Sequence, residues 1–351
     1  MIGIVAAAYT IYGGLKAVVW SDLLQGAAII LGGVVVTVLG FREVGGVGAF
    51  FEQNAEKLHM ILPAGHKTLP WTALLLGIWI PHTFYWGLNQ FITQRTLAAR
   101  SLREGQKGII LAASLKLIMP FIIVFPGIMA YQIFGGGLEK QDTAYPLLIR
   151  EIVPAGLRGL LLAALAGAVM SSLDSMLNSA STILTIDLYK RHWRPKASTR
   201  NLVWVGRVTT ALFALFACLV APLLDNPRLG GIFNYIQMFQ GFISPGIVTV
   251  FLFGIVVRRA PPAAAITALL LGVPVYGLLL WQLPKVAFLN HMAITFIVLL
   301  IAMSIITAAA PLREPRVMPV QEGFDARTSP VLWAFGGLVI AILIAFYAIF
   351  W

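Results

Sequence analysis

The chain of 351 residues is 59% apolar and 11% charged, and its formal net charge is +11. An ordinary soluble domain has roughly a quarter of its residues charged, so this composition excludes a soluble globular protein and indicates an integral membrane protein. The basic residues lie mostly between apolar segments, which favours a role in membrane orientation over nucleic-acid binding. The single cysteine, Cys218, lies in an apolar run and excludes a disulfide framework or a metal–thiolate site.

The chain begins with MIGIVAAAYTIYGG, which lacks the basic residues that open a cleavable signal peptide. This stretch is too short to span a bilayer, which takes about 17 to 25 apolar residues. We expect it to form a helical hairpin with the first full span, and Met1 would then lie in mid-membrane. A chain that starts there is expected to have lost an upstream part.

Nine apolar windows of membrane-spanning length follow along the chain. They cover residues 23–41, 69–93, 108–134, 157–186, 203–223, 232–256, 261–282, 289–310 and 329–350. Helices joined by short connections are therefore predicted, with no soluble domain. The longest connection, 42–68, mixes apolar and charged residues at helical spacing and is expected to include a short interfacial helix.

Basic residues alternate in number from one connection to the next. The connections at 95–107, 187–207, 257–260 and 311–327 hold fifteen lysines and arginines, whereas the intervening connections, with Arg158 at the edge of its span, hold eight. By the positive-inside rule the first set is cytoplasmic, and the carboxyl terminus then lies outside. The sequence thus predicts a multi-pass protein of the cell membrane, with the lipid bilayer and not nucleic acid as its partner.

Two of the predicted spans are interrupted. The stretch WIPHTFYWGLNQ places Pro81 and Gly87 inside one span, and QGFISPG places Gly241, Pro245 and Gly246 inside another. Secondary transporters bind substrate and ions at such broken helices near the bilayer midplane. A simple proline kink remains the alternative for either break taken alone.

The segment AGAVMSSLDSMLNSAST, residues 166–182, carries polar side chains within a membrane-length apolar stretch. At roughly 100° per residue, one helix face collects a stripe with Asp174 at its edge. The stripe consists of Ala168, Ser171, Ser172, Ser175, Asn178 and Ser179. Hard oxygen ligands of this kind suit Na+, while the alternative is a contact between helices whose hydroxyls bond back to their own backbone. The carboxylate favours the ion, because a buried aspartate needs a cation or a donor.

Lys116 and Asp22 also lie at membrane depth. Lys116 is too far into its span for ready snorkelling, and pairing with a structural carboxylate is the alternative to a functional role. For Asp22, near the start of its span, the alternative is an interfacial helix cap.

No catalytic constellation is present in the sequence. His82 and His291 are far apart along the chain and have no clustered Cys, Glu or Asp, and no GxSxG, HExxH or P-loop motif occurs. We therefore do not expect an enzyme.

Four stretches carry a resemblance to a known family: YTIYGGLKAVVWSDLLQ (9–25), YWGLNQFITQRTLAARS (85–101), LKLIMPFIIVFPGIMA (115–130) and MSSLDSMLNSASTILTIDLYKR (170–191). They resemble the sodium/solute symporter family, most closely its sodium/glucose cotransporter branch. The resemblance runs from the start to about residue 260 and weakens across the last three spans.

This resemblance implies an all-α integral membrane protein with an inverted-repeat sodium symporter fold of five plus five helices. The second repeat and peripheral C-terminal helices would be present and most of the first repeat missing. The implied parts are a first-repeat remnant at 1–41, an extracellular or periplasmic connection at 42–68, the second repeat with its site helices at 69–256, and peripheral helices at 257–351. The chain alone is then not expected to hold a full site, because the family's broken first helix supplies the remaining sodium ligands.

The resemblance also implies ion ligands. The conserved sodium site of the family matches Ala168, Ser171 and Ser172, where a backbone carbonyl is followed by two hydroxyls. A second sodium site, found in some relatives, matches Asp22, Asp174 and Ser175. Asp174 departs from the hydroxyl of several relatives and adds a negative charge to that site.

For the substrate, the resemblance implies that Lys116, Gln237 and Tyr85 contact or gate a sugar, with Tyr85 stacking on it and blocking its inward exit. Asn89, in the same YWGLNQ stretch, joins this predicted site. His82 stands where sugar carriers often have Asn or Thr, which leaves the sugar undetermined.

The implied function is Na+-coupled symport of a glucose-like or galactose-like sugar into the cell by alternating access, with Na+ as the coupling ion and no cofactor. The alternatives are a Na+ symporter for myo-inositol, an amino acid or a carboxylate, and a non-transporting sensor or incomplete fragment.

Overall fold

The computed structural model describes residues 2–135, 138, 141–224, 232–317 and 329–351, and all regular secondary structure in these ranges is helical. This confirms the all-α class. The α-helices are α1 (Ile2–Glu43), α2 (Val47–Gln53), α3 (Trp71–Leu76), α4 (Trp79–Thr83), α5 (Gln90–Leu97), α6 (Leu102–Lys116), α7 (Phe125–Phe134), α8 (Ala144–Ile152), α9 (Ala155–Thr182), α10 (Thr199–Val220), α11 (Ile232–Gln240), α12 (Ser244–Val256), α13 (Pro262–Gln282), α14 (Phe288–Ala309) and α15 (Pro330–Ile349). π-Helical segments occupy Phe84–Leu88, Pro120–Val124 and Ile183–Trp193, and short 3-10 helices occupy Ala55–Lys57, Gln141–Thr143 and Ala221–Leu224.

Seven helical segments of the described chain are long and apolar enough to cross a membrane. They are Asp22–Glu43, Leu102–Phe134, Ala155–Trp193, Thr199–Leu224, Pro262–Gln282, Phe288–Ala309 and Pro330–Ile349. Helices α11 and α12 form an eighth span when the bend of 40° between them is allowed. Eight of the nine predicted windows are therefore confirmed as spans by length and composition.

The remaining window, 69–93, is not a continuous helix, so the prediction of a ninth full span is wrong. Helix α3 ends before Gly77, where an added Cβ would collide with the backbone carbonyl of Leu289 on α14. A second break lies at Asn89, whose extended backbone (φ −81°, ψ 121°) separates the π-helical segment from α5. The predicted interruption of this window is thus confirmed, and the close approach of α14 is one of its causes.

The expected hairpin at the start of the chain is also wrong. Helix α1 runs without a break for 42 residues, a length of about 63 Å at the usual helical rise. Its first half contains Gly13 and Gly14 but no proline, and glycine weakens a helix without removing a backbone donor. Asp22 therefore lies within a helix, and the alternative of a helix cap is excluded for it.

The contacts divide the chain into two compact units. The first consists of Met1–Leu58, Gln90–Gly231 and Val331–Ile342. Within it α1 packs along α9, and glycines of α1 permit close approach: an added Cβ on Gly33 would lie 2.9 Å from the Cβ of Ile122. The expected short helix in the 42–68 connection is present as α2.

The second unit consists of His59–Asn89, Ile232–Pro330 and Leu343–Trp351. Helices α12, α13 and α14 pack together there around the fully buried Tyr276. The Tyr276 ring lies against Gly241, and its hydroxyl donates to the carbonyl of Met238 at 3.1 Å. A buried side chain thus supports the bend between α11 and α12, as broken membrane helices require, and the predicted break at Gly241 is confirmed.

Candidate functional site

The polar stripe predicted from the sequence lies on α9, which is helical without a break from Ala155 to Thr182. Asp174 and Ser175 are buried, Ala168 and Ser171 are half-buried, and Ser172 is exposed. The stripe contacts two different partners. The residues from Ser171 to Asn178 face α1 and α5, whereas Ser181, which follows the stripe, faces α10.

Asp22 and Arg95 form the centre of the polar contacts between α1, α5 and α9. The Arg95 Nε donates to Asp22 Oδ2 at 3.1 Å, and Nη2 donates both to the same oxygen and to the Ser175 hydroxyl. The other Asp22 oxygen, Oδ1, accepts from the Ser171 hydroxyl. We call Asp22, Arg95, Ser171 and Ser175 the Asp22–Arg95 cluster.

The spacing of residues on the helices explains why this cluster forms. Ser171 and Ser175 are one turn apart on α9, and the Ser175 hydroxyl donates to the Ser171 carbonyl at 2.9 Å. On α5, Phe91 and Arg95 are one turn apart, and Arg95 Nη1 donates to the Phe91 carbonyl at 3.1 Å. Residues four apart share a helix face, so each helix presents its polar groups to the same place.

A second layer of contacts fixes α5 against α9. Asn178 Nδ2 donates to Gln94 Oε1 at 3.2 Å, and Gln94 Nε2 donates to the Ser175 carbonyl at 3.4 Å. Asp174, next to Ser175 in the chain, has no exposed surface. The buried part of the stripe is therefore held by side chains of α1 and α5.

The turn of α9 that follows the stripe packs against α10. The Ser181 hydroxyl donates to the Gly206 carbonyl on α10 at 2.8 Å and lies 3.0 Å from the Thr209 hydroxyl. The Thr182 hydroxyl donates back to the Asn178 carbonyl at 2.7 Å. These hydroxyls fit the alternative that small residues pack helices together.

Gln25 lies one turn after Asp22 on α1 and is directed towards α9. Its Cγ would be 3.0 Å from a Cβ added to Gly167, the residue before Ala168. Its Oε1 is buried and accepts no hydrogen bond from the part of the chain that the structure describes. An amide oxygen in this position adds an acceptor beside the predicted sodium ligands.

The predicted substrate residues fall into both units. Lys116 ends α6 in the first unit, while the others belong to the second. His82 lies in α4, Tyr85 in the π-helical segment that follows, and Asn89 at the extended break. Tyr85 stacks edge-to-face on Trp86, with the ring centroids 5.1 Å apart.

Within the second unit, α11 lies beside α4. Gln240 Nε2 donates to the Pro81 carbonyl at 3.5 Å, and Gln237 is one turn earlier on α11. Gln237 and His82 thus lie on two segments that this hydrogen bond joins.

Arg95, Gln94 and Gln25 were missed as site residues by the sequence reasoning. Arg95 was counted among the basic residues of a cytoplasmic connection, because charge counting does not distinguish a loop arginine from one on a short helix. The signal that points to it is the FITQR spacing, which places Phe91 and Arg95 one turn apart directly after a broken span.

The oxygen ligands along the stripe and beside it suit a hard cation better than a transition metal. Among the described residues, no group of three or more His, Cys, Asp and Glu side chains lies close enough to hold a metal ion. The oxygens at hand are hydroxyls, backbone carbonyls, an amide and carboxylates, which suit alkali and alkaline-earth ions rather than zinc or copper.

Comparison with known proteins gives consistent results. The sequence model of the "Sodium:solute symporter family" matches residues 1–272. A sodium/glucose cotransporter from Vibrio parahaemolyticus is 36% identical over 99% of this chain and 68% of its own length. A sodium/myo-inositol cotransporter from pig is 35% identical over 76% of this chain and 45% of its own.

A solved structure of a Na+-coupled sialic acid symporter is similar in fold. It describes a substrate-bound outward-open state with a novel Na+ site, and it matches with a TM-score of 0.76 and 23% identity over 91% of this chain and 67% of that one. An uncharacterized symporter of Escherichia coli, YidK, is 34% identical over 90% of this chain and 56% of its own length. The chain thus spans between about half and two thirds of the relatives that it matches.

Proposed function

Because the chain belongs to the sodium:solute symporter family, we propose that it carries a sugar or a related polyol into the cell together with Na+. Its helices make it a multi-pass protein of the cell membrane, and the matched relatives are transporters rather than enzymes. The observation that carries the proposal is the polar face of α9, where the hydroxyl of Ser171, beside Ser172, donates to Asp22 of α1.

The first Na+ would bind at the Ala168 carbonyl and the Ser171 and Ser172 hydroxyls. The Ser171 hydroxyl donates its proton to Asp22, so both of its lone pairs are directed elsewhere and can face a cation. A carboxylate that fixes a ligand in this way orients it and raises its basicity, as partners of metal ligands generally do. The resemblance also names Asp22, Asp174 and Ser175 for a second Na+, and two of these residues, Asp22 and Ser175, accept hydrogen bonds from Arg95.

The chemistry of the substrate residues that the resemblance implies matches a polyhydroxyl solute. Lys116 donates three hydrogen bonds and Gln237 both donates and accepts, which matches neutral hydroxyl groups. Tyr85 would stack on the ring of the solute, and His82 and Asn89 would complete the polar contacts. Two of the relatives are named for glucose and for myo-inositol. Both of these solutes are polyhydroxylated rings, which supports a polyhydroxyl solute for this chain.

The membrane potential and the Na+ gradient would drive uptake. Moving one charge through 100 mV corresponds to about 2.3 kcal/mol, or roughly fiftyfold accumulation per ion. Na+ binding would preorganise the outward-facing site, and release of Na+ past Ser171 and Ser172 would follow opening to the inside. No covalent step is involved.

The test is uptake of labelled glucose, galactose and myo-inositol into proteoliposomes that contain the protein expressed from its complete reading frame. We expect uptake to be faster with an inward Na+ gradient than with an equal K+ gradient. Equal rates in the two salts for all three solutes would refute Na+ coupling.

Two variants with matched controls test the residues. Ser172→Ala should raise the Na+ concentration needed for half-maximal uptake, whereas Ser304→Ala, an exposed serine that bonds to its own helix on α14, should not. Lys116→Ala should raise the KM for the sugar, whereas Lys107→Ala, which removes an exposed pair with Glu104, should not. Wild-type kinetics in both site variants would refute the assignment.

A further inference from the structure

The guanidinium of Arg95 lies among the oxygens proposed for a second Na+. The residues proposed for that ion are Asp22, Asp174 and Ser175. Of these, Asp22 and Ser175 both accept hydrogen bonds from Arg95. Asp22 Oδ2 accepts from two nitrogens of the guanidinium, and the Ser175 hydroxyl oxygen accepts from one of them. The same lone pairs that would coordinate a cation are engaged by a side chain that is itself a cation.

An arginine cannot leave this position by losing its charge. The guanidinium stays protonated in proteins, and a Na+ held by the same oxygens would lie beside it and be repelled by its charge. Na+ and Arg95 are therefore alternative occupants of the oxygens of Asp22 and Ser175.

Further contacts keep Arg95 in place. Its Nη1 bonds to the Phe91 carbonyl of its own helix, and Gln94 beside it bonds to the Ser175 carbonyl. The Arg95 side chain is 32% exposed and that of Asp22 is 18% exposed. Displacing the guanidinium would therefore break contacts with α1, with α9 and within α5 at once.

We propose that Arg95 is the resident cation of the second position and thereby limits the protein to one Na+, bound at Ala168, Ser171 and Ser172. This inference rests on the proposed Na+-coupled function and specifies its stoichiometry. Arg95 acts as a residue that determines coupling: it neutralises Asp22, holds α5 to α1 and α9, and excludes a second ion. The Asp22–Ser171 bond that orients the first site remains intact in this arrangement.

The proposal predicts a gain of binding on removal of Arg95. With Arg95→Gln, the oxygens of Asp22 and Ser175 lose the guanidinium and keep the charge of the carboxylate. Arg95→Gln should bind two Na+ per chain where the wild type binds one. The double variant Arg95→Gln with Ser175→Ala should return to one, because the freed position has lost a ligand.

The experiment is equilibrium binding of radioactive Na+ to the purified full-length protein in detergent, in potassium buffer, with the bound ions counted per chain. Arg100→Gln is the matched control, because Arg100 is an exposed residue of the same connection, and it should bind one Na+ like the wild type. Size-exclusion profiles of all variants identify any that do not fold.

The outcomes separate the inference from the function on which it rests. Two Na+ on the wild type would overturn the inference, and this measurement needs no variant. One Na+ on both the wild type and a folded Arg95→Gln would also overturn it, while leaving the proposed function in place. No saturable Na+ binding to the wild type would overturn the proposed function itself.

Discussion

The ion pair between Arg95 and Asp22 should stabilise the first unit, and a double-mutant cycle can measure by how much. Asp22→Ala would leave the guanidinium without its carboxylate and the Ser171 hydroxyl without its acceptor. Arg95→Ala would leave the carboxylate with Ser171 alone. The loss of stability in the double variant should therefore be smaller than the sum of the losses in the two single variants.

The magnitude follows from the exposure of the two side chains. Exposed ion pairs contribute about 0–1 kcal/mol, and breaking a buried pair costs about 3–5 kcal/mol. Arg95 and Asp22 are 32% and 18% exposed, so they lie between these cases. We expect a coupling energy of about 1–3 kcal/mol, reduced towards the lower value by solvent screening.

The assay is thermal unfolding of the purified protein in dodecyl maltoside, followed by tryptophan fluorescence. It is run in potassium buffer, because a bound Na+ would stabilise the folded state by mass action. Asp187→Ala, at an exposed position of the segment that continues α9, is the control and should not change the unfolding temperature. If the loss in free energy of unfolding of the double variant equals the sum of the two single losses to within about 0.5 kcal/mol, the interaction is refuted.

Two further predictions concern packing. Gly33→Ala should lower the unfolding temperature, because its Cβ would lie 2.9 Å from that of Ile122 and such overpacking costs about 1–3 kcal/mol. Gly26→Ala on the same helix meets nothing within 4 Å and should leave stability unchanged or raise it; equal effects of the two would contradict the packing of α1. Tyr276→Phe should destabilise by about 1 kcal/mol, since it removes one donor to the Met238 carbonyl beside the bend. An unchanged unfolding temperature for Tyr276→Phe would show that this bond does not support the bend.

The spans were predictable because length and hydropathy are local properties. Windows such as 261–282 and 289–310 match α13 and α14 to within a residue or two. The bend near Gly241 was also visible, because glycine and proline act on the backbone directly. The position of the break in the 69–93 window was harder to predict, because the break at Gly77 depends on the backbone of α14, which is distant in the sequence.

The site was predictable along one helix but not between helices. The period of the α-helix put Ser171 and Ser175 on one face, and the resemblance linked Asp22 to them. Nothing in a count of charges indicated that Arg95 would reach Asp22, because that contact joins residues 73 positions apart. The roles of Lys116, Gln237 and Tyr85 stay predictions.

Solute-dependent entry of Na+ tests the central claim most directly. Proteoliposomes that contain the full-length protein are given radioactive Na+ outside, with and without glucose, galactose or myo-inositol, at a fixed membrane potential. We expect at least one of these solutes to accelerate Na+ entry, and Ser171→Ala to weaken the acceleration. If the protein binds one of the three solutes but Na+ enters at the same rate with and without each of them, coupled transport is contradicted.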